Sequence, residues 1–240
     1  MSKGKKEIHK IELDGVTLDV QVIPEWRKDT RFALNGKGGI IRYPVLSLKG
    51  KSQLIRDFSN WASDTLASKP RLYARYKDRR YENGMEICIL EQYRYSISIV
   101  EGNTSRLKGD ELFLSQELLS QSKSDIKKSV SKLFVLRHKR AIQERVHYWN
   151  DTYFQSPINR VTLRYTTSRW GSCSTKGNIS LSSRLLLAPL DVLDYIIVHE
   201  LAHTKEMNHS RAFWNEVRKV MPGYLDQEAK IKEYGGEWDF

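Results

Sequence analysis

His199, Glu200 and His203 are the residues whose types and spacing most directly specify chemistry in this 240-residue sequence. Histidines four positions apart on a helix share one face, a turn apart, and two imidazoles so placed chelate zinc. Glu200 lies about 100° around such a helix from His199, within reach of a water at the metal without binding the metal itself. It is the natural general base. Zinc held by three protein ligands and a water lowers the pKa of that water to about 7, so a catalytic site needs a third ligand. His209 fits best: HELAHTKEMNH follows the spacing HExxHxxGxxH except that Glu206 stands where glycine is usual. Glycine lets a chain leave a helix with positive φ, and Asn208 is the nearest residue that adopts this conformation cheaply. The chain reversal is therefore expected later than in that pattern. Glu216, Glu228 and Glu233 are rival third ligands. A purely structural zinc would leave Glu200 without a role and would favour cysteine ligands.

The elements that position these residues follow from periodicity. After Pro189 and Asp191 the run VLDYIIVHELAH is apolar nearly all round. Such a helix belongs inside a domain, where ionisable residues need a reason to be. Upstream, Arg160 to Thr166 and Asn178 to Arg184 read as two strands of a hairpin whose connection contains Trp170-Gly171-Ser172-Cys173. Before them a long helix opens at Ser122 to Asp125, which has the form of a capping box. It carries an apolar stripe through Ile126, Val130, Leu133, Ile142, Val146, Trp149 and Tyr153, and ends at Ser156-Pro157. The N-terminal third alternates in short segments: strands joined at Asp14-Gly15, a turn at Asn35-Gly36, and a helix over 51–68 through Leu54, Phe58, Trp61 and Leu66. One or two further strands lie within Glu86 to Val100, and no internal repeat is visible. The expected fold is α+β, with a β-rich region over 1–115 and the metal-binding domain over 116–240.

Charge and composition bound the function. The formal charge of +11 resides in two segments: 69–81, with six basic residues against one Asp, and 123–145, with eight against two acids. Interleaved with Tyr73, Tyr76 and Tyr81, such cations offer contacts to nucleic acid, against the plainer reading of a solvated basic face. Two cysteines, Cys88 and Cys173, exclude a disulfide framework and favour a reducing, cytoplasmic setting. The charged N-terminus and the absence of a long apolar run argue against a signal peptide and a membrane span.

Arg169 to Ser174, Gly177, Ile179, Leu181, Arg184-Leu185, Pro189, Asp194-Tyr195, HELAH, Asn208-His209-Ser210 and Phe213-Trp214 closely resemble the YgjP-like metallopeptidases. The match is dense over 161–222 and looser back to about residue 81. The resemblance implies a zincin-like metallopeptidase core, one Zn2+ held by His199, His203 and His209, Glu200 as catalytic acid/base, and a protein or peptide substrate. A more distant similarity, to SprT-like proteases that act near DNA, is compatible with the basic segments. Ser182 departs from the family, which usually shows Asn there and so another contact to a ligand or substrate. Two alternatives stay open: a DNA-associated basic protein with a structural or vestigial zinc site, and hydrolysis of a non-peptide amide.

Other residues carry paired readings. Trp170 to Cys173 is a substrate-facing edge or a packed corner, and Cys173 is more readily an inert thiol than a ligand. Tyr195 is a core tyrosine or an oxyanion donor. Asp194 is an acceptor for a ligand imidazole or a helix cap. Arg169 and Arg184 are substrate contacts or braces, Phe213 and Trp214 anchor the helix after His209, and Met221 is core rather than a Met-turn.

Overall fold

The structure is a computed structural model that describes residues 7–35, 38–69, 72–73 and 81–240. They form two compact units, Met1–Asp78 and Arg79–Phe240.

In the first unit β1 (Glu7–Leu13), β2 (Val16–Glu25), β3 (Arg31–Asn35) and β4 (Gly38–Pro44) form a sheet ordered β1-β2-β4-β3. Asp14 and Gly15, both at positive φ, close the β1–β2 hairpin as their types predict. Val16, Leu18, Val20 and Val22 alternate inward from β2 and meet Leu54, Phe58, Ala62 and Leu66, four apart on α1 (Lys51–Ala67). Gly39 permits this packing, since a Cβ there would collide with the Phe58 ring. The turn expected at Asn35-Gly36 and most of the basic segment 69–81 lie outside the described residues.

The second unit begins with β5 (Glu86–Ile89), β6 (Tyr93–Val100), β7 (Arg106–Lys108) and β8 (Glu111–Ser115), ordered β5-β6-β8-β7. This sheet shares one apolar core with the helix that carries His199 and Glu200. It therefore packs with the C-terminal unit rather than with the β-rich region to which the boundary at 115 assigned it. After a short helix α2 (Gln116–Leu119), the Ser122 hydroxyl accepts from the Asp125 N–H and starts α3 (Lys123–Trp149), the capping box expected there. Its buried stripe differs in the middle from the expected one: Phe134 and His138 point inward, and Leu133 is only partly buried. The last turn widens to a π-helix over Asn150–Phe154, which rotates Tyr153 outward, and Gln155 at φ 49° ends it.

The expected hairpin is absent. β9 (Arg160–Arg164) and β11 (Asn178–Ser182) pair in parallel, and β10 (Gly171–Cys173) pairs antiparallel on the other side of β11. Parallel neighbours need a crossover, and the connection 165–177 is long enough to supply one and to spare three residues as an edge strand. The chain continues through a 3-10 turn (Ser183–Leu187) into α4 (Leu190–Ala202), α5 (Arg211–Val220) and α6 (Tyr224–Tyr234). No helix among the described residues is long and apolar enough to cross a membrane.

Candidate metal centre

α4 is buried over most of its length, and its last turn and C-cap present His199 and His203 on one face with ring centroids 5.1 Å apart. Beyond Ala202 the chain turns through ordinary backbone bonds, Thr204 N–H to the Leu201 carbonyl at 2.9 Å and Glu206 N–H to the Ala202 carbonyl at 3.0 Å. No residue between 203 and 210 has positive φ, so the reversal needs neither a glycine at 206 nor a left-handed Asn208. The sequence expectation fails here because turns of right-handed residues suffice. They also place the Glu206 carbonyl 3.1 Å from His203 Nδ1. A carbonyl can only accept, so Nδ1 carries the proton and the Nε2 lone pair is left free.

The turn brings His209 back against the helix. One ligand nitrogen from each of His199, His203 and His209 falls within 4.8 Å of the others, the one such group among the described residues. Nε2 of His199 and Nε2 of His209 face each other at 3.0 Å. Phe213, fully buried on α5, backs all three rings at 4.9, 4.5 and 4.7 Å, and Trp214 flanks His199 and His209 at 5.9 Å each. Both aromatics anchor α5 to the core, as expected for them. They also wall the imidazoles, which their i+4 and i+5 offsets from His209 could have signalled.

Burial pushes the His199 imidazole down to about 3, helped by the two neighbouring rings, and burial lowers His203 as well. Neutral imidazoles are ligands, and protonated ones are not. The buried Nδ1 of His199 has no hydrogen-bond partner among the described residues. Converging, neutral and partly unsatisfied nitrogens fit a divalent cation, and three imidazoles suit zinc.

Glu200 is 5 % exposed and points towards β10. A Cβ on Gly171 would collide with its carboxylate, so this glycine is required for the approach. Burial raises the Glu200 carboxyl to about 7, against the pull of Arg169 and a hydrogen bond from the Cys173 backbone. Among the described residues β10 has β11 on one side only, and no strand pairs with its other edge.

The remaining expectations sort by contact. Asp194 neither holds an imidazole nor caps α4: it accepts from Arg145, at 2.7 Å to Nη2, and from Trp149 Nε1 at 2.8 Å, tying α4 to α3. Arg184 is buried, donates to the carbonyls of Trp238 at 2.8 Å and Gly235 at 2.7 Å, and lies 4.3 Å over the Trp170 ring. It braces the C-terminus. Ser182 donates to the Thr166 carbonyl at 2.9 Å, an internal bond of the crossover. Burial pushes the Cys173 thiol up to about 11, the chemistry of an inert thiol. Tyr195 is buried between His199 and Tyr224, and Met221 packs against the core. Glu216 and Glu228 pair with Lys219 and Lys232, and neither joins the histidine group; nor does Glu233. In the basic helix α3, Lys127, Lys128, Arg140 and Arg145 form ion pairs with Asp239, Asp125, Glu144 and Asp194, and no observation supports a nucleic-acid surface there.

Comparison with known families decides the assignment. The model of the YgjP-like family, described as a metallopeptidase domain, matches residues 30–234. The chain belongs to that family. Membership makes it a metal-dependent hydrolase of the metallopeptidase kind and implies a divalent metal. Among solved structures, the metallopeptidase zymogen abylysin of Pyrococcus abyssi is 32 % identical over 38 % of this chain and 90 % of its own, with a TM-score of 0.35. The zymogen jannalysin of Methanocaldococcus jannaschii is 26 % identical over 38 % of this chain and 93 % of its own, with a TM-score of 0.34. No curated protein matches the chain.

Proposed function

We propose that this YgjP-like chain is a zinc peptidase in which His199, His203 and His209 hold the metal and Glu200 is the general base and acid. The observation that carries the reading is the convergence of three imidazole nitrogens within 4.8 Å on and just beyond the helix that buries Glu200. When bound, zinc supplies Lewis acidity, polarising a carbonyl and letting water ionise near neutral pH. The chain's own residues do the rest. Phe213 and Trp214 hold the imidazoles in place and exclude bulk water from one side of them. The free edge of β10 offers backbone donors and acceptors to an extended peptide, an arrangement that reads little sequence. Glu200, held against that edge because Gly171 has no side chain, takes a proton from water and returns it to the departing amine.

Metal content of protein purified without a chelating column tests the ligand set. Wild type should carry about one zinc per chain by the three-ligand argument, and His203→Ala and His209→Ala should each lose it. Unchanged zinc in His209→Ala would remove that residue from the set. Glu200→Gln should keep the metal and lose roughly 100- to 10,000-fold in peptide hydrolysis, the usual worth of a positioned acid/base. Full activity in that variant would end the assignment of Glu200.

A further inference from the structure

A second feature adjoins the histidine cluster. Between α5 and the start of α6 lies a cavity of about 500 Å3 lined by Arg211, Trp214, Asn215, Arg218, Tyr224 and Glu228. Trp214 is common to both places: its ring flanks His199 and His209 and also walls the cavity. Tyr224 stacks on it at 5.2 Å with 18° between the planes and is buried, so the cavity has a rigid aromatic wall beside the metal site.

Its charge is one-sided. Arg211, Asn215 and Arg218 follow one another at spacings of four and three on α5, which puts two guanidinium groups on one helix face. Arg218 shares only a 3.3 Å hydrogen bond with Asn215, and neither arginine has an ion-pair partner among the described residues. The cavity's one carboxylate, Glu228, is already met by Lys232 at 2.8 Å. Two planar cations beside an aromatic wall suit a carboxylate on a short apolar stem, because the fork of a guanidinium matches both carboxylate oxygens. We infer that this cavity is a specificity pocket that takes a carboxylate of the peptide substrate, from an acidic side chain near the scissile bond or from the peptide's own C-terminus.

The inference rests on the peptidase reading, and its test separates the two. The probes are three dye-labelled alanine-based hexapeptides: one with an internal Glu and an amidated end, one with Gln in its place and a free terminal carboxylate, and one with Gln and an amidated end. Binding is read by fluorescence anisotropy to the full chain carrying Glu200→Gln, and cleavage is read by mass spectrometry with the zinc-loaded wild type. At least one carboxylate peptide should bind about tenfold more tightly than the Gln amide, the usual worth of a charge-assisted hydrogen bond, and which one does so names the source. The preference should weaken with salt, because both arginines are exposed. Arg211→Gln combined with Arg218→Gln, which keeps helix-forming residues on an exposed face, should abolish the preference. Equal binding of all three peptides, or a preference that survives the double substitution, overturns the pocket. Cleavage without carboxylate preference would leave the peptidase reading standing alone. Carboxylate-selective binding without cleavage of any peptide would keep the pocket and remove the peptidase reading.

Discussion

The sheets β1-β2-β4-β3 and β5-β6-β8-β7 share one connectivity in two parts of the chain. Each pairs antiparallel, parallel and antiparallel in the same order, and each is followed by a helix with buried residues four apart. Aligned by register, Val20 opposite Gly39 corresponds to Ile97 opposite Leu112, so Leu18 stands where Tyr95 stands. The buried residues of the first core are all apolar, and the second buries His138 with its Nε2 2.9 Å from the Tyr95 hydroxyl. The second module alone continues into β9 to β11 and α4 to α6, on or between which every proposed site residue lies. A strand-and-helix plan is thus indifferent to chemistry: burial pattern makes the module, and the elements added to it make the site.

The sharpest way to break this division is to damage each module at its equivalent centre. Phe58 and Phe134 are both fully buried on the helix that covers the sheet. Replacing either with Ala should cost about 3–5 kcal/mol. Phe58→Ala should lower an unfolding transition while metal-dependent hydrolysis survives below it, whereas Phe134→Ala should lose stability and activity together. Thermal unfolding followed alongside activity checks both. Equal loss of activity in Phe58→Ala at a temperature where the second unit stays folded would show that the modules do not divide the work.

The polar pair in the second core sharpens the contrast through pH. Burial, with a contribution from Arg137, lowers the His138 imidazole from 6.5 to about 4. The unfolded chain then binds a proton that the folded chain refuses, so stability is full above about pH 6.5 and falls as pH drops towards 4. The loss is on the order of 3 kcal/mol at 1.36 kcal/mol per pH unit. Tyr95→Phe with His138→Leu replaces this pair with apolar side chains like those of the first core and should flatten that slope in denaturant titrations between pH 7 and 4. An unchanged slope would assign the acid sensitivity to other groups.

Legibility divided along the same lines. The HELAH spacing, the capping box at Ser122 and the turn at Asp14-Gly15 are local signals, and the structure carries each as its residue types dictate. What escaped was long-range. The parallel pairing of β9 with β11 depends on a partner 18 residues away, and alternation within a strand says nothing about the direction of its neighbour. The shared connectivity was invisible because only burial is preserved between Leu18 and Tyr95, not residue type. Gly171 is informative only once the fold shows that Glu200 fills the space a side chain would need.

Two glycines test that last point as a matched pair. A Cβ at Gly39 would collide with the Phe58 ring, and a Cβ at Gly171 with the Glu200 carboxylate. Gly39→Ala should cost about 1–3 kcal/mol of stability as an overpacked core does, with hydrolysis unchanged. Gly171→Ala should leave the melting temperature near that of wild type and lower turnover about 100-fold, the scale set by a displacement of about 1 Å at a reacting group. If Gly171→Ala merely unfolds the chain, the glycine serves packing and the two positions are alike.

The smallest effect lies in the turns that close the equivalent first hairpins. In the first sheet Asp14 and Gly15 take the positive φ, residue types that adopt it at little cost. In the second, Leu90 and Glu91 do so at φ 52° and 58°, although neither side chain favours that region. Glu91 has a compensating contact. Its carboxylate accepts from the Leu190 N–H at 2.8 Å, at the start of α4, where Pro189 offers no side-chain cap. A carboxylate there satisfies an orphan donor and opposes the positive end of the helix that carries His199 and Glu200. Glu91→Ala should therefore cost about 1 kcal/mol, the ordinary worth of a cap. Glu91→Gly loses the same cap and regains roughly 1 kcal/mol of backbone strain, so it should stay close to wild type in chemical denaturation. Glycine far more stable than wild type would mean that the cap contributes nothing and the strain is held by the Leu90 N–H bond to the Leu186 carbonyl alone.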